Sequence, residues 1–324
     1  MKAFDMHCDT LLGGNRNHLD LVNDQMHISL DKLGAFEHYV QCFAIFIPDQ
    51  FRGQDAIDFY DRTFAYYKAQ TEKYADRMEW AHNGRELAQA KKPITGILTI
   101  EGGCALAGDI SRVKLLKDQG VAMMTLTWNY PNQLGYPAKA TGGEFAGKAF
   151  SEAGYGLTTR GIEFLEEMEK LGMIIDVAHL NDAGIRDVLK FTKKPFVASH
   201  SNARHLCSHP RNLNDELLKA IGERGGVIGL NYYAYFLRDW KDGETVVSRA
   251  EDIVAHAKYI RDMAGIEALG LGSDFDGMNG ELEIASPADM EKLEEVFKKN
   301  GFAESEIEKI FYKNVMRIYR EMLG

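Results

Sequence analysis

Apolar residues gather in short runs that recur along the whole chain, separated by stretches patterned at helical spacing. The runs are Lys2–His7, Val40–Ile47, Ile94–Ile100, Val121–Thr127, Met173–Ala178, Phe196–Ser199, Val227–Asn231 and Ala268–Gly272. They are rich in Val, Ile, Leu and Met and apolar at nearly every position. That pattern suits strands buried on both faces of a parallel sheet.

The intervening stretches carry helix signals. Thr159 to Leu171 sets Phe164, Leu165, Met168 and Leu171 on one face, with Gly172 where a left-handed cap belongs. Ser248 followed by Glu251 predicts a capping box opening a helix toward Ala264, and Ser305 with Glu308 predicts a second. Ser286-Pro287 puts a cap residue ahead of a first-turn proline. The last helix carries Ile307, Ile310, Phe311, Val315 and Ile318 at helical spacing and is expected on the barrel's flank.

Eight strand–helix units predict an α/β chain folded as a (β/α)8 TIM barrel, one domain spanning residues 1–324. The open doubly wound sheet is disfavoured, because no Gly-x-Gly-x-x-Gly follows the first strand. Three connections are long. Gln54–Tyr74 reads as mostly helical. Asn129–Leu157 is rich in Gly, Pro and polar residues and reads as an active-site loop, and Arg204–Leu213 is a third, shorter loop.

Composition narrows the function. The 324 residues are 45% hydrophobic and 27% charged, an ordinary globular balance. A net charge of -10 argues against nucleic acid as a partner, since phosphate binding needs a basic face. No stretch approaches a membrane span. The proposed ligands begin at His7, which leaves no room for a secretion signal, so a cytoplasmic location is expected. Cys8, Cys42, Cys104 and Cys207 form no Cys-x-x-Cys pair and are expected as reduced thiols.

Barrel enzymes carry reactive residues at the C-terminal ends of their strands. In Phe4–Thr10, strand alternation puts His7 and Asp9 on one face and Cys8 on the other. The third run closes on Glu101-Gly102-Gly103, the fifth on Asp176-Val177-Ala178-His179, the sixth on Ser199-His200-Ser201, and the eighth on Ser273-Asp274-Phe275-Asp276-Gly277. Each alone is weak evidence, for a strand-end histidine is commonly a hydrogen-bonded core residue and an acid before Gly-Gly is commonly turn chemistry. Together they put imidazoles and carboxylates on one mouth, where buried charge is costly unless paired or metal-bound.

A catalytic zinc site typically takes three protein ligands, fewer than the five available. Two metals sharing Glu101 distribute them, with His7 and Asp9 on one and His179 and His200 on the other. Water between two such ions would be largely ionised at neutral pH, since even one zinc lowers its pKa to about 7. Asp274, not needed as a ligand, is expected to take that proton and pass it to a leaving group.

These residues resemble the membrane (renal) dipeptidases of peptidase family M19, within the amidohydrolase superfamily. The motifs are His7-Cys8-Asp9-Thr10, Ile100-Glu101-Gly102-Gly103, Leu171 to His179, Ser199-His200-Ser201-Asn202-Ala203, His209-Pro210-Arg211-Asn212 and Gly272 to Gly277. The resemblance runs from Phe4 to the last helix. It implies a barrel with two zinc ions, Glu101 bridging, the ligand division above, Asp274 as proton shuttle, and Arg211 holding the substrate's C-terminal carboxylate. A guanidinium fork suits that carboxylate bidentately. It also implies a homodimer. One position departs from the family. Trp128 stands where well-studied members have a substrate-contacting histidine, and an indole offers only a donor. The histidine's role is therefore not carried over, and Trp128 is retained as a substrate-contact candidate.

Other polar residues receive plainer readings. Asp276 reads as a turn residue, and His205 and His209 as surface or substrate-loop positions. Tyr232 and Tyr233 are divided between pocket lining and core. His18, His27, His38, His82 and His256 are given no role. The function expected is zinc-dependent hydrolysis of dipeptides, leaving open whether a C-terminal D-residue is accepted. Manganese, iron or nickel would also suit these ligands. The alternatives are another binuclear amidohydrolase, such as a TatD-type deoxyribonuclease or a lactonase, and a non-catalytic metal- or peptide-binding barrel.

Overall fold

A computed structural model of the protein describes residues 1–139 and 155–324. All eight apolar runs form strands, shorter or longer than expected by a few residues at their ends. They are β1 (Lys2–Cys8), β2 (His38–Phe46), β3 (Ile94–Glu101), β4 (Val121–Thr125), β5 (Ile174–Asp176), β6 (Val197–Ala198), β7 (Val227–Leu230) and β8 (Leu269–Leu271). Each pairs in parallel with the next, and β8 returns to β1, so the sheet closes on itself. This is the (β/α)8 barrel. One further short strand, Met78–Trp80, pairs with the start of β3.

Register decides which polar residues share a level. Phe46 of β2 lies opposite Glu101 of β3, Glu101 opposite Thr125 of β4, and Thr125 opposite Asp176 of β5. The opposite end of the barrel is apolar. Phe4, Met6, Val40, Met123, Ile174 and Val227 join one cluster with Val315, Ile318, Tyr319 and Met322. The helix Asn314–Leu323 thus flanks the barrel at its N-terminal end, with the Tyr319 hydroxyl 3.3 Å from Met123 Sδ and 3.1 Å from Cys42 Sγ. Each of these fully buried side chains contributes about 1.5–3 kcal/mol through removal from water. Polar chemistry is left to the other mouth.

The helix Thr159–Leu171 forms as expected, with Thr158 Oγ1 accepting from the Gly161 N–H and Gly172 at φ 68°. Two capping boxes do not form where the sequence pattern put them. Ser248 is extended, paired within the short strands Val247–Ser248 and Glu281–Leu282, and the helix Ala250–Ala264 begins after it. The Ala250 N–H donates instead to the Glu283 carboxylate at 2.9 Å. At the second, only half of a box forms, two residues early, with Glu306 accepting from the Ala303 N–H at 2.8 Å. There the helix Glu304–Glu308 passes through a π turn, Lys309–Lys313, into the final helix.

The first long connection is the helix Gln54–Lys73. The expected active-site loop falls largely on residues 140–154, outside the described residues. The third, Arg204–Leu213, is anchored rather than free. Arg204 donates twice to Asp182, both at 2.7 Å, and to the carbonyls of Asn212 and Pro210. No helix among the described residues is long and apolar enough to cross a membrane. All four cysteines are buried and unpaired.

Candidate metal centre

Backbone pairing brings the ends of β1 and β8 together. The Asp274 N–H donates to the His7 carbonyl at 3.3 Å, and the Asp9 N–H to the Phe275 carbonyl at 2.9 Å. His7 Nε2 consequently lies 3.6 Å from Asp9 Oδ2 and 3.9 Å from Asp274 Oδ1. Across the mouth, the two oxygens of Glu101 face different imidazoles. Oε2 is 3.7 Å from His7 Nε2, whereas Oε1 is 3.0 Å from His179 Nε2 and 3.4 Å from His200 Nε2. The five expected ligands and Asp274 therefore form one cluster. His7, Glu101 and His200 can present donor atoms to a common ion, as can His7, Asp9 and Asp274.

Two buried carboxylates that sequence reasoning passed over hold this cluster from beneath. Asp5 accepts from the His7 N–H at 3.3 Å and from the Ser273 N–H at 2.9 Å and hydroxyl at 2.5 Å, fixing the residues beside His7 and Asp274. Asp176 accepts from the N–H groups of Ala178 and Ser199 and from the Ser199 and Thr125 hydroxyls, fixing those beside His179 and His200. Each stands as a lone acid within an apolar run. That signal was available, because an unpaired buried charge demands partners.

The remaining ring contacts assign tautomers. Ser199 Oγ donates to Asp176, so at 2.8 Å it accepts from His200 Nδ1–H. His179 Nδ1 lies 2.7 Å from Asn129 Oδ1, an acceptor, and so also carries the proton. Both Nε2 atoms then turn lone pairs toward Glu101, the arrangement in which metal-bound histidines are held by an outer partner. Burial keeps both rings well below the usual imidazole range. His7 is different. Burial opposes its protonation, but Glu101, Asp9 and Asp274 together raise it to about 10. Burial, with Asp9 nearby, pushes Glu101 well above the carboxylate range and Asp274 up to about 6.

A cation fits this donor set on direct evidence from the side chains. His7 is 1% exposed, yet neither of its ring nitrogens has a hydrogen-bond partner, nor does Asp9 Oδ1. The backbone is adapted to the same place. His179 and Asp274 both have positive φ, 67° and 66°, a region non-glycine residues enter rarely and often at functional sites. Gly277 leaves the space the carboxylates occupy, for a Cβ there would sit 2.1 Å from Asp9 Oδ2 and 2.5 Å from Asp274 Oδ1.

A cavity of about 490 Å³ opens over the cluster. Trp128 lines it, 4.7 Å from the Phe46 ring and 6.1 Å from that of His179. Tyr233 lines it too, whereas Tyr232 is buried in the core. Asp274 also lines it and accepts from Asn231 Nδ2 at 3.0 Å. Arg211 does not line it. That side chain is buried, donating to the His200 carbonyl at 3.2 Å, with its Cζ 5.4 Å from the ring of Phe236, which does line the cavity. Arg211 Nε lacks a hydrogen-bond partner, and burial lowers the guanidinium to about 10.

The plainer expectations fare unevenly. Asp276 is more than a turn residue. Its carboxylate accepts from the Thr10 hydroxyl at 2.6 Å and the N–H groups of His27 and Ile28, tying a remote segment to the mouth. His256 is buried and its Nδ1 accepts from the Ala203 N–H at 3.1 Å, supporting the turn after β6. His205 stacks on Tyr259, and His209 packs on Phe236.

Comparison with known proteins identifies the family. The profile of the membrane dipeptidases, peptidase family M19, matches residues 1–323. An uncharacterised protein from the pqqA 5′ region of Klebsiella pneumoniae is 30% identical over 272 residues, covering 83% of this chain and 97% of that protein. Dipeptidase tcpJ of Claviceps purpurea is 29% identical over 264 residues, covering 78% of this chain but 57% of that longer protein. Two crystal structures superpose over the whole chain and 99% of their own. One is a family M19 metallopeptidase, dipeptidase AC (TM-score 0.89, 26% identity). The other is a Rhodobacter sphaeroides metallopeptidase bound to a phosphinate mimic of the dipeptide L-Ala-D-Ala (TM-score 0.88, 25% identity). The chain belongs to the membrane dipeptidase family, peptidase family M19, and is a hydrolase of the metallo-dipeptidase kind.

Proposed function

We propose that the protein hydrolyses dipeptides with two zinc ions, His7 and Asp9 holding one, His179 and His200 the other, and Glu101 both. The observation that carries this is the facing of Nε2 lone pairs from His179 and His200 onto one Glu101 oxygen, beside an imidazole, His7, whose ring nitrogens have no hydrogen-bond partner. When bound, such ions polarise a peptide carbonyl and make water acidic enough to act as a nucleophile near neutral pH.

The chain's own residues do the rest. Hydrolysis adds water across the C–N bond, so the carbonyl carbon gains an oxygen and the leaving nitrogen gains a proton. Asp274, held by Asn231 at the cavity wall, receives the proton from water and delivers it to that nitrogen. Arg211 is the candidate for the substrate's terminal carboxylate. It is a buried cation with a spare N–H and no carboxylate partner within 4 Å among the described residues. Trp128 and Phe46 supply an apolar wall. A C-terminal D-residue falls within the proposed scope, because a relative of similar fold binds a mimic of L-Ala-D-Ala. Four buried, unpaired thiols suit a reducing compartment, and on that basis we assign the enzyme to the cytoplasm.

The test is a dipeptide panel, L,L and L,D members side by side, on zinc-loaded protein. Asp274→Asn should keep both ions while losing turnover by about 10²–10⁴-fold, the usual weight of a general acid–base group. Full turnover in that variant would refute the proton path.

A further inference from the structure

We infer that Arg16 selects dipeptides bearing a second carboxylate, so that Asp- and Glu-containing dipeptides are the preferred substrates. The inference rests on the dipeptidase reading above and names the substrate class of that same site.

Arg16 belongs to the helix Thr10–Asn17, which starts directly after Asp9. Asp9, Leu12 and Arg16 follow one another at spacings of three and four, so they share one helix face. All three line the cavity. Helical side chains lean back toward the N-terminus, which turns Arg16 toward Asp9 from about 10 Å further along the axis. The position is at the rim, where Arg16 is exposed. Among the described lining residues Arg16 is the one fixed cation, and none of the described hydrogen bonds or ion pairs engages it. The nearby acids are committed elsewhere. Asp9, Glu101 and Asp274 belong to the metal cluster, and Asp276 is taken up by Thr10, His27 and Ile28.

An unpaired guanidinium facing a polar cavity is a receptor for a carboxylate, which it grips through two parallel N–H donors. The terminal carboxylate is a poor match for it. That group sits on the carbon bonded to the leaving nitrogen and must remain close to the metal cluster. An Asp or Glu side chain carries its carboxylate one or two bonds further from that carbon, toward the rim where Arg16 stands. Arg211 and Arg16 would then read two different carboxylates of one substrate.

The test compares acid and amide pairs that differ in charge but hardly in shape, Ala-Glu with Ala-Gln and Glu-Ala with Gln-Ala, on the zinc-loaded enzyme. A charge-assisted contact at an exposed rim position predicts an acid-to-amide ratio of kcat/KM of about two- to fivefold in one pair. Arg16→Met should collapse that ratio toward one, and Arg16→Lys should restore part of it. Because Arg16 is exposed and unpaired, both variants should melt with the wild type, which circular dichroism checks. Ratios near one in both pairs, or a preference that survives Arg16→Met, overturn this inference while leaving the dipeptidase reading intact. Failure to cleave any dipeptide overturns both.

Discussion

The Nε2 atoms of His179 and His200 lie 3.0 Å apart, and neither carries a proton to place between them. Asn129 and the Ser199–Asp176 pair keep the protons on the far ring nitrogens, so two lone pairs face each other and a carboxylate oxygen. Such an arrangement is repulsive until a cation enters. Glu101→Gln removes the charge common to both halves of the cluster. The expected outcome is less than one tightly held ion per chain by elemental analysis, and a melting temperature that no longer responds to chelator.

The same crowding predicts how metal-free protein responds to pH. His7 is raised to about 10, so the folded chain holds a proton that the unfolded chain releases near 6.5. Its contribution is fully present below 6.5 and is lost as pH rises toward 10. Glu101 is also raised and acts in the same direction. His179 and His200 are lowered, but above pH 7 they are neutral in both states and drop out. From pH 7 to 9 the chelated protein should therefore lose melting temperature. The metal-loaded protein should change less, because bound ions take the place of that proton. Differential scanning calorimetry of both forms tests the divergence.

Gly277 packs directly against two carboxylates of the cluster. A methyl group there would overlap the side-chain oxygens Asp9 Oδ2 and Asp274 Oδ1, which could yield only by leaving their places in the cluster. Gly277→Ala is expected to weaken metal binding and lower kcat at least about tenfold, since small misplacements of reacting groups are costly. Metal titration and steady-state kinetics on the same preparation would show the two losses together.

Asp176 bears on stability as well as geometry. Four donors point at its carboxylate. Asn in its place would turn an amide N–H₂ toward one of those donors and leave a buried group unsatisfied. Asp176→Asn should cost about 2–3 kcal/mol in denaturant unfolding. It should also loosen His200, seen as faster metal loss to a chelator. Unchanged unfolding and metal release would show that the serine and threonine hydroxyls find other partners.

Much of this architecture was readable from the order of residues. Strands buried on both faces must be apolar throughout, so eight Val-, Ile- and Leu-rich runs announced eight strands, and the barrel's topology put their polar closing residues on one mouth. His7, Asp9, Glu101, His179, His200 and Asp274 follow from that rule, because a charge at the end of a buried strand has to be paired or metal-bound. Local signals held where no strand pairing intervenes, as at Gly172. Tertiary pairing overrode them at Ser248, whose backbone is engaged by another strand, and left Glu283 to cap the helix from 33 residues away.

What only the folded chain decided are relationships across long sequence distances. Asp276 became a tie for His27 and Thr10, 249 and 266 residues earlier, because a φ of 66° aims its carboxylate back at them. Asp5 and Asp176 became supports because strand register stacks serine and threonine donors around them. The two arginines were sorted in the same way. Arg211 sits in a substrate-like motif but lies buried beside Phe236, while Arg16, on a short helix with two glycines and no apolar period to mark it, stands in the cavity wall. The sequence could name the chemistry because each charge had to be satisfied somewhere. Which charge faced the cavity depended on packing, and packing is a property of the whole fold.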